Sequence, residues 1–307
     1  METGTGVKEK EKSADHRFEV VGIRQQPQPE PVRRQKWYEG RPVFAAALLT
    51  LIVCGCLGCG FIMTKDPVYL DLENYSVAPC REFLFGTDTM GRDIFSMIWY
   101  GGRVSLLIGL LATAISTGIA ILFGAVSGLA PKWLDELLMR LTEIFLSIPS
   151  LLLVIFLQAI LGKAGVLSLS LVIGVTSWTS VAKVVRAEVR RLRNCEYVLA
   201  SRCMGGGFFH IVWHHLAPNF LSSIMFMVVM NVRSAIVAES TLSFMGIGLP
   251  LEIISWGSML SHSEKALLSG AWWIILIPGV FLTATLLCMT SIGNWLRGNG
   301  NQGSSNL

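Results

Sequence analysis

The stretch EYVLASRCMGGGFFHIVWHHLAPN, Glu196 to Asn219, gathers residues whose types suggest chemistry. His210 and His214 stand four apart, a spacing that puts two imidazoles on one helix face and that zinc hydrolases use. Such a site needs a general base directly after the first histidine, and Ile211, Val212 and Trp213 fill that interval. With no carboxylate or cysteine in the same turn, these histidines read as the polar surface of a helix. Gly205, Gly206 and Gly207 suggest a phosphate cradle instead. The chain contains no G-x-x-x-x-G-K-[ST] segment, and the triplet does not follow a strand, so neither a phosphate loop nor a dinucleotide fingerprint fits. A G-x-S-x-G nucleophile turn is absent too. The residues therefore predict no catalytic group, no metal site and no bound nucleotide on this chain.

One charge stands out inside an otherwise apolar run. Arg233 would cost about 2.5–3.5 kcal/mol at mid-membrane on insertion scales, so it must face protein or water. Glu239 lies six residues on, about 240° round a helix, and cannot pair with it there. A partner must come from another helix, another subunit or a cargo carboxylate. Two readings stay open: a structural ion pair or snorkelling arginine, or a pore position shared with Asn231, Ser234 and Glu239. A second polar cluster is FGTDTMGRDIFSMIWYGGR, Phe85 to Arg103. Asp88 and Asp93 suit turn and helix-cap positions, and Gly86 and Gly91 suit tight turns. Ile94, Phe95, Ile98 and Trp99 then recur at helical spacing, which predicts a short amphipathic helix leading into the next span.

The elements that must carry these residues follow from composition. Apolar residues make up 52% of the 307 and charged residues 15%, and the mean hydropathy is +0.56. Ordinary globular domains carry about 25% charged residues, so this chain belongs in a membrane. Uncharged runs long enough for a bilayer core are Val43–Thr64, Val104–Ala130, Ile144–Gly162, Ala164–Ala182, Leu216–Ala238 (broken only by Arg233) and Ala266–Leu296. None alternates as a barrel strand does, so the fold class is all-α with six transmembrane helices. Ser240–Leu251 is too short to span and reads as an interfacial or re-entrant turn. Lys and Arg number 18 on the side of the termini and six on the other, which places both termini in the cytoplasm. The expected organisation is a disordered cytoplasmic tail over 1–41, a first span over 42–64, and an external segment over 65–103. A five-helix core over 104–296 follows, containing a cytoplasmic loop over 183–215, and a disordered tail closes the chain over 297–307. The first apolar run starts too late for a secretory signal. The seven cysteines imply no disulfide framework, and the mild positive charge suits lipid headgroups, not nucleic acid.

Four motifs, in order, resemble a known family. GTDTMGRD (Gly86, Thr87, Asp88, Gly91, Arg92 and Asp93) resembles the GTDxxGRD signature of the second permease subunit of dipeptide, oligopeptide and nickel ABC importers. EYVLASRCMG, followed by Pro218-Asn219, resembles that family's cytoplasmic coupling loop, EYVxAAxxxG with HxxPN downstream. AESTLSFMGIG (Ala238–Gly248) and SWGSML (Ser255–Leu260) resemble its AExxLSFLGxG and SWGxML stretches. The chain departs from the pattern at Ser201, His214 and Ala217, and Gly293–Gly298 lacks both acids of the family's closing GDxLRD. The resemblance implies a type I permease fold working beside a sister permease. Glu196, Tyr197, Ala200, Ser201, Gly205, Pro218 and Asn219 would then shape the loop that docks on one of two ATPase subunits. ATP and Mg²⁺ would be bound by those subunits, and an extracytoplasmic solute-binding protein would deliver the cargo. It also implies the cytoplasmic membrane as the location and peptides as cargo, with nickel or a metal chelate as the alternative within the family. An ion channel would need no ATPase. A secondary transporter would show inverted repeats and intramembrane acids.

Overall fold

The computed structural model describes residues 42–162, 165–250, 252–261, 266 and 270–303. The expected tail over 1–41 lies outside them, as do 304–307. Helices dominate, and among the described residues the only β-pairing is an isolated bridge between Thr87 and Asp93.

The first apolar run forms α1 (Val43–Leu57) and, past a break at Gly58, the single turn α2 (Cys59–Ile62). Alone, α1 has 15 residues, fewer than the roughly 20 that cross a bilayer core. α3 (Ile94–Leu129) corrects one expectation. The amphipathic piece after Asp93 is no separate helix but the first turns of a 36-residue helix, about 54 Å long. No proline interrupts Ile94–Leu129, and the serines, threonines and glycines inside it are carried without breaking the helix.

The third and fourth expected spans are bent. α4 (Lys132–Ser147) meets α5 (Ser150–Leu161) at 89°. Pro149 is the cause, because a residue before proline is pushed out of the helical region and Ile148 is extended (ψ 129°). α6 (Val166–Thr176) meets α7 (Thr179–Leu192) at 48°. There the Thr176 and Ser177 hydroxyls donate back to carbonyls of Val172 and Ile173, a pattern that bends helices without proline. α8 (Glu196–Cys203) and the turn α9 (Phe208–His210) follow. A π-turn over Ile211–Leu216 leads into α10 (Ala217–Phe244), then α11 (Trp256–Ser261) and α12 (Trp273–Gly303). α10 runs six residues past the expected end of its span, because its stop is Gly246 at φ +76°. α12 likewise continues through 298–303, which had read as tail. By length and composition α3, α10 and α12 can cross a membrane, and the two bent pairs bring the number to five.

α3 is the hub. Its small residues let neighbours approach closely: a Cβ on Gly102 would stand 2.5 Å from the Trp256 ring, and one on Gly109 2.8 Å from Ile236. Three apolar clusters result. One joins the C-terminal half of α3 to α7, α8 and the start of α10. A second joins α1, the start of α3, α11 and α12. The third joins mid-α3 to α5, α6 and the end of α10.

Candidate functional site

The GTDTMGRD segment is a closed knot. Asp88 Oδ2 accepts from Nε and Nη2 of Arg92, each at 2.7 Å, while its Oδ1 accepts the backbone N–H groups of Met90 and Arg92 at 2.8 Å. Asp93 caps α3: its Oδ2 accepts from Ser96 N at 3.0 Å, from Ser96 Oγ at 2.6 Å and from Thr64 Oγ1 at 3.0 Å. The Thr87 hydroxyl donates to the Asn74 carbonyl and accepts from Val77 N, and the Thr87 carbonyl accepts from the Trp273 indole at 3.1 Å. Gly91, at φ +76°, passes so close to Asp71 that a Cβ would sit 1.7 Å from its carbonyl oxygen. Thr87, Asp88, Arg92 and Asp93 are all buried. The signature pins the 63–93 loop to the start of α3 and to α12.

The 196–219 stretch is built the opposite way, with its side chains turned outward. α8 stops at Gly205, whose φ of +85° suits only glycine, and the Gly206 N–H closes the turn onto the Ser201 carbonyl at 2.9 Å. Val198 and Ser201 face inward, while Glu196, Tyr197, Leu199, Ala200, Met204 and Phe209 are exposed, Met204 at 82%. Partial burial first, and the Cys195 thiol second, push the Tyr197 phenol above its ordinary range, so it stays a neutral hydroxyl. Pro218 lies in the first turn of α10. It supplies no N–H and crowds the turn before it, and the preceding π-turn accommodates that strain. The Asn219 amide then donates to the His215 carbonyl at 2.7 Å. His210 stacks on His214 at 4.5 Å, with His215 edge-on at 5.6 Å. Among the described residues no set of three His, Cys, Asp or Glu side chains is placed to hold a metal ion.

Of the intramembrane candidates, Arg233 lies at the centre of the span Ser223–Phe244. Its Nε and the Asn231 Nδ2 are enclosed without a hydrogen-bond partner among the described residues, and Ser234 is exposed. Glu239 is elsewhere. It is fully buried. Its Oε1 accepts the hydroxyls of Ser255 (2.7 Å) and Ser243 (3.0 Å), and its Oε2 those of Ser105 (3.1 Å) and Ser240 (3.3 Å). Three of these hydroxyls also accept a backbone N–H, from Trp256, Leu249 and Ser258. That double use orients each O–H toward the carboxylate oxygens. The cage joins α3, α10, the 245–255 turn and α11, and it accounts for the pairing of the AES and SWGS segments.

Sequence reasoning missed a second carboxylate altogether. Asp135, on the first turn of α4, is 1% exposed and accepts from Ser127, Arg186 and Arg190. A lone acid in an amphipathic helix carries no signal that guanidiniums 51 and 55 positions later will reach it.

With this architecture in view, the comparisons are specific. Residues 120–299 match the family described as binding-protein-dependent transport system inner membrane component. The chain is 35% identical over 250 residues to the dipeptide transport system permease protein DppC of Bacillus subtilis, covering 81% of this chain and 78% of that one. It is 34% identical to the oligopeptide transport system permease protein OppC of the same organism, covering 81% of each. A Brucella suis protein described as a peptide permease is 35% identical over 83% of this chain and 84% of its own. The matched region holds the outward-facing loop at Glu196–Asn219, Glu239 in its serine cage and Asp135 with its arginines, and the chain belongs to the inner membrane components of binding-protein-dependent transport systems, as an ABC permease subunit.

Proposed function

We propose that this chain is the peptide-conducting permease of an ATP-driven importer, with α8 as the helix gripped by a partner ATPase. The observation that carries the reading is the build of α8. It is a short helix held from beneath by buried Val198 and stopped by a left-handed turn that favours glycine; it exposes Tyr197 and Leu199, and Met204 and Phe209 are exposed just beyond its end. Exposed apolar side chains beside polar ones mark a surface that another protein covers. The basic residues around this loop support a cytoplasmic position for it and for both termini. ATP and Mg²⁺ belong to the ATPases, a sister permease completes the pathway, and an extracytoplasmic binding protein hands over the cargo.

The relatives named for dipeptide and oligopeptide transport support peptides as that cargo. Arg233, Asn231 and Ser234 are the polar positions of α10 proposed to border the path, since a mid-span guanidinium whose Nε has no partner among the described residues is served by water, cargo or the sister subunit. ATP binding closes the ATPases and turns the spans outward, and hydrolysis with product release resets them. Gly205→Trp tests the reading. The variant is expected to lose the ATPase subunits during detergent purification and to lose ATP-dependent peptide uptake in proteoliposomes. Intact association and uptake would overturn it.

A further inference from the structure

Only Arg193, Asn194 and Cys195 join α7 to α8, so whatever fixes the end of α7 also fixes the proposed docking helix. Two kinds of contact do so. The first is apolar, where Val198 of α8 is buried with Leu192, Ile211, Val212 and Leu216. The second is ionic. Asp135 accepts from both Nε and Nη2 of Arg186, the latter at 2.6 Å, from Nη2 of Arg190, and from the Ser127 hydroxyl at 2.6 Å. Arg193 donates to the Gly128 carbonyl at 3.1 Å, on the last turn of α3. Alongside, Val185 and Val189 lie so close to Gly124 and Gly128 that a Cβ there would approach within 2.8 and 2.6 Å. The polar end of α7 is thus tied at once to the start of α4 and the end of α3.

We propose that Asp135, Arg186 and Arg190 form a positioning joint that holds the docking helix in register with the membrane helices, so that ATPase movement reaches α3 and α4 instead of being absorbed in the linker. The joint rests on the reading of α8 as the ATPase-docking helix. The apolar cluster already anchors α7 and α8, and a buried ion pair is a weak device for stability alone because desolvation offsets its attraction. What it adds is direction. A guanidinium fork on a carboxylate fixes an angle as well as a distance. Arg186 and Arg190 are one turn apart on the same face and share one acceptor, so a roll of α7 about its axis strains both bonds together.

The test uses the whole transporter in proteoliposomes, with both permeases, the ATPases and the peptide-loaded binding protein, and reads peptide moved per ATP hydrolysed. Asp135→Asn is expected to assemble and hydrolyse ATP while moving about five-fold less peptide per ATP, within the range of inter-site couplings. Arg186→Lys keeps the charge but loses the fork and should fall between that variant and wild type, and Asp135→Glu should recover most of the ratio. If Asp135→Asn yields no complex, the Arg186→Lys ratio decides. The joint is overturned if the ratio stays at the wild-type value, or if uptake and hydrolysis fall in equal proportion as simple loss of folded complex would produce. Gly205→Trp in parallel isolates the underlying reading. Should that variant keep its ATPases and its uptake, the docking assignment fails independently of the Asp135 result.

Discussion

Glu239 and Asp135 are both almost wholly withdrawn from solvent, yet opposite means keep them there. Glu239 accepts four neutral hydroxyls, whereas Asp135 accepts one hydroxyl and two guanidiniums. Location explains the choice. Near Glu239 a counter-cation would itself need desolvation, at several kcal/mol or so per ion. Serine hydroxyls bring a donor without a charge. Near Asp135 the Arg186 and Arg190 side chains keep 23% and 38% of their exposure, so their heads stay partly hydrated. The hydroxyl cage suits a joint that stays shut, and the ion pair suits one that carries load.

Removing the carboxylate at Glu239 should therefore have the largest effect on stability. Glu239→Ala leaves the buried hydroxyls of Ser105, Ser243 and Ser255 without an acceptor. At about 1–3 kcal/mol for each unsatisfied buried group, a loss of about 3 kcal/mol or more is expected. Thermal unfolding of the detergent-solubilised permease measures it, and an unchanged melting temperature would show that the cage locks nothing. Ser255→Ala comes next. It removes the 2.7 Å bond to Glu239 and the acceptor of the Ser258 N–H, which predicts about 1–2 kcal/mol in the same measurement.

How far the sequence reveals such features depends on the range over which each is built. The stop of α8 and the start of α10 were legible because Gly205 and Pro218 each act through their own backbone, within one turn. The start of α3 was legible because Asp93 caps a helix three residues away. The 89° bend at Pro149 carried a local signal inside an otherwise uniform apolar run, while the 48° bend at Ser177 arises from hydroxyl back-bonding that many straight helices also contain. The Glu239 cage was out of reach. Ser255 is 16 residues away in sequence and Ser105 is 134, and nothing in a run of apolar residues says which serines will meet. For the same reason Glu239 read as a pore candidate. Packing shows the serines that enclose Glu239, which sequence spacing does not.

Asp135→Asn should destabilise less than either cage substitution, by about 1 kcal/mol, because the released guanidiniums can turn to water. It also separates the two devices by their response to salt. In 1 M salt the screening length shrinks to about 3 Å, so the difference between Asp135→Asn and wild type should narrow relative to low salt. The difference between Ser255→Ala and wild type should not change, since no charge is removed. Equal responses in the two variants would mean that the partial exposure of Arg186 and Arg190 has no energetic consequence, and the contrast between the sites would collapse.

The smallest expected effect is the sharpest test of how the cage works. Ser240 donates to Glu239 across 3.3 Å, the longest of the four bonds, and its hydroxyl, unlike the other three, accepts no backbone N–H among the described residues. Ser240→Ala removes one weak donor and leaves the three oriented hydroxyls in place. The smaller side chain also fits beside Gly257, whose Cβ position lies 2.5 Å from the Ser240 Cα. A change within about 0.5 kcal/mol follows, since a bond of poor geometry contributes below the usual range for a hydrogen bond. If Ser240→Ala proves as damaging as Ser255→Ala, the hydroxyls act as one collective donor set. If it is neutral, the cage is held by the three serines whose oxygens are tied to the backbone, and those tie Glu239 to the 245–255 turn.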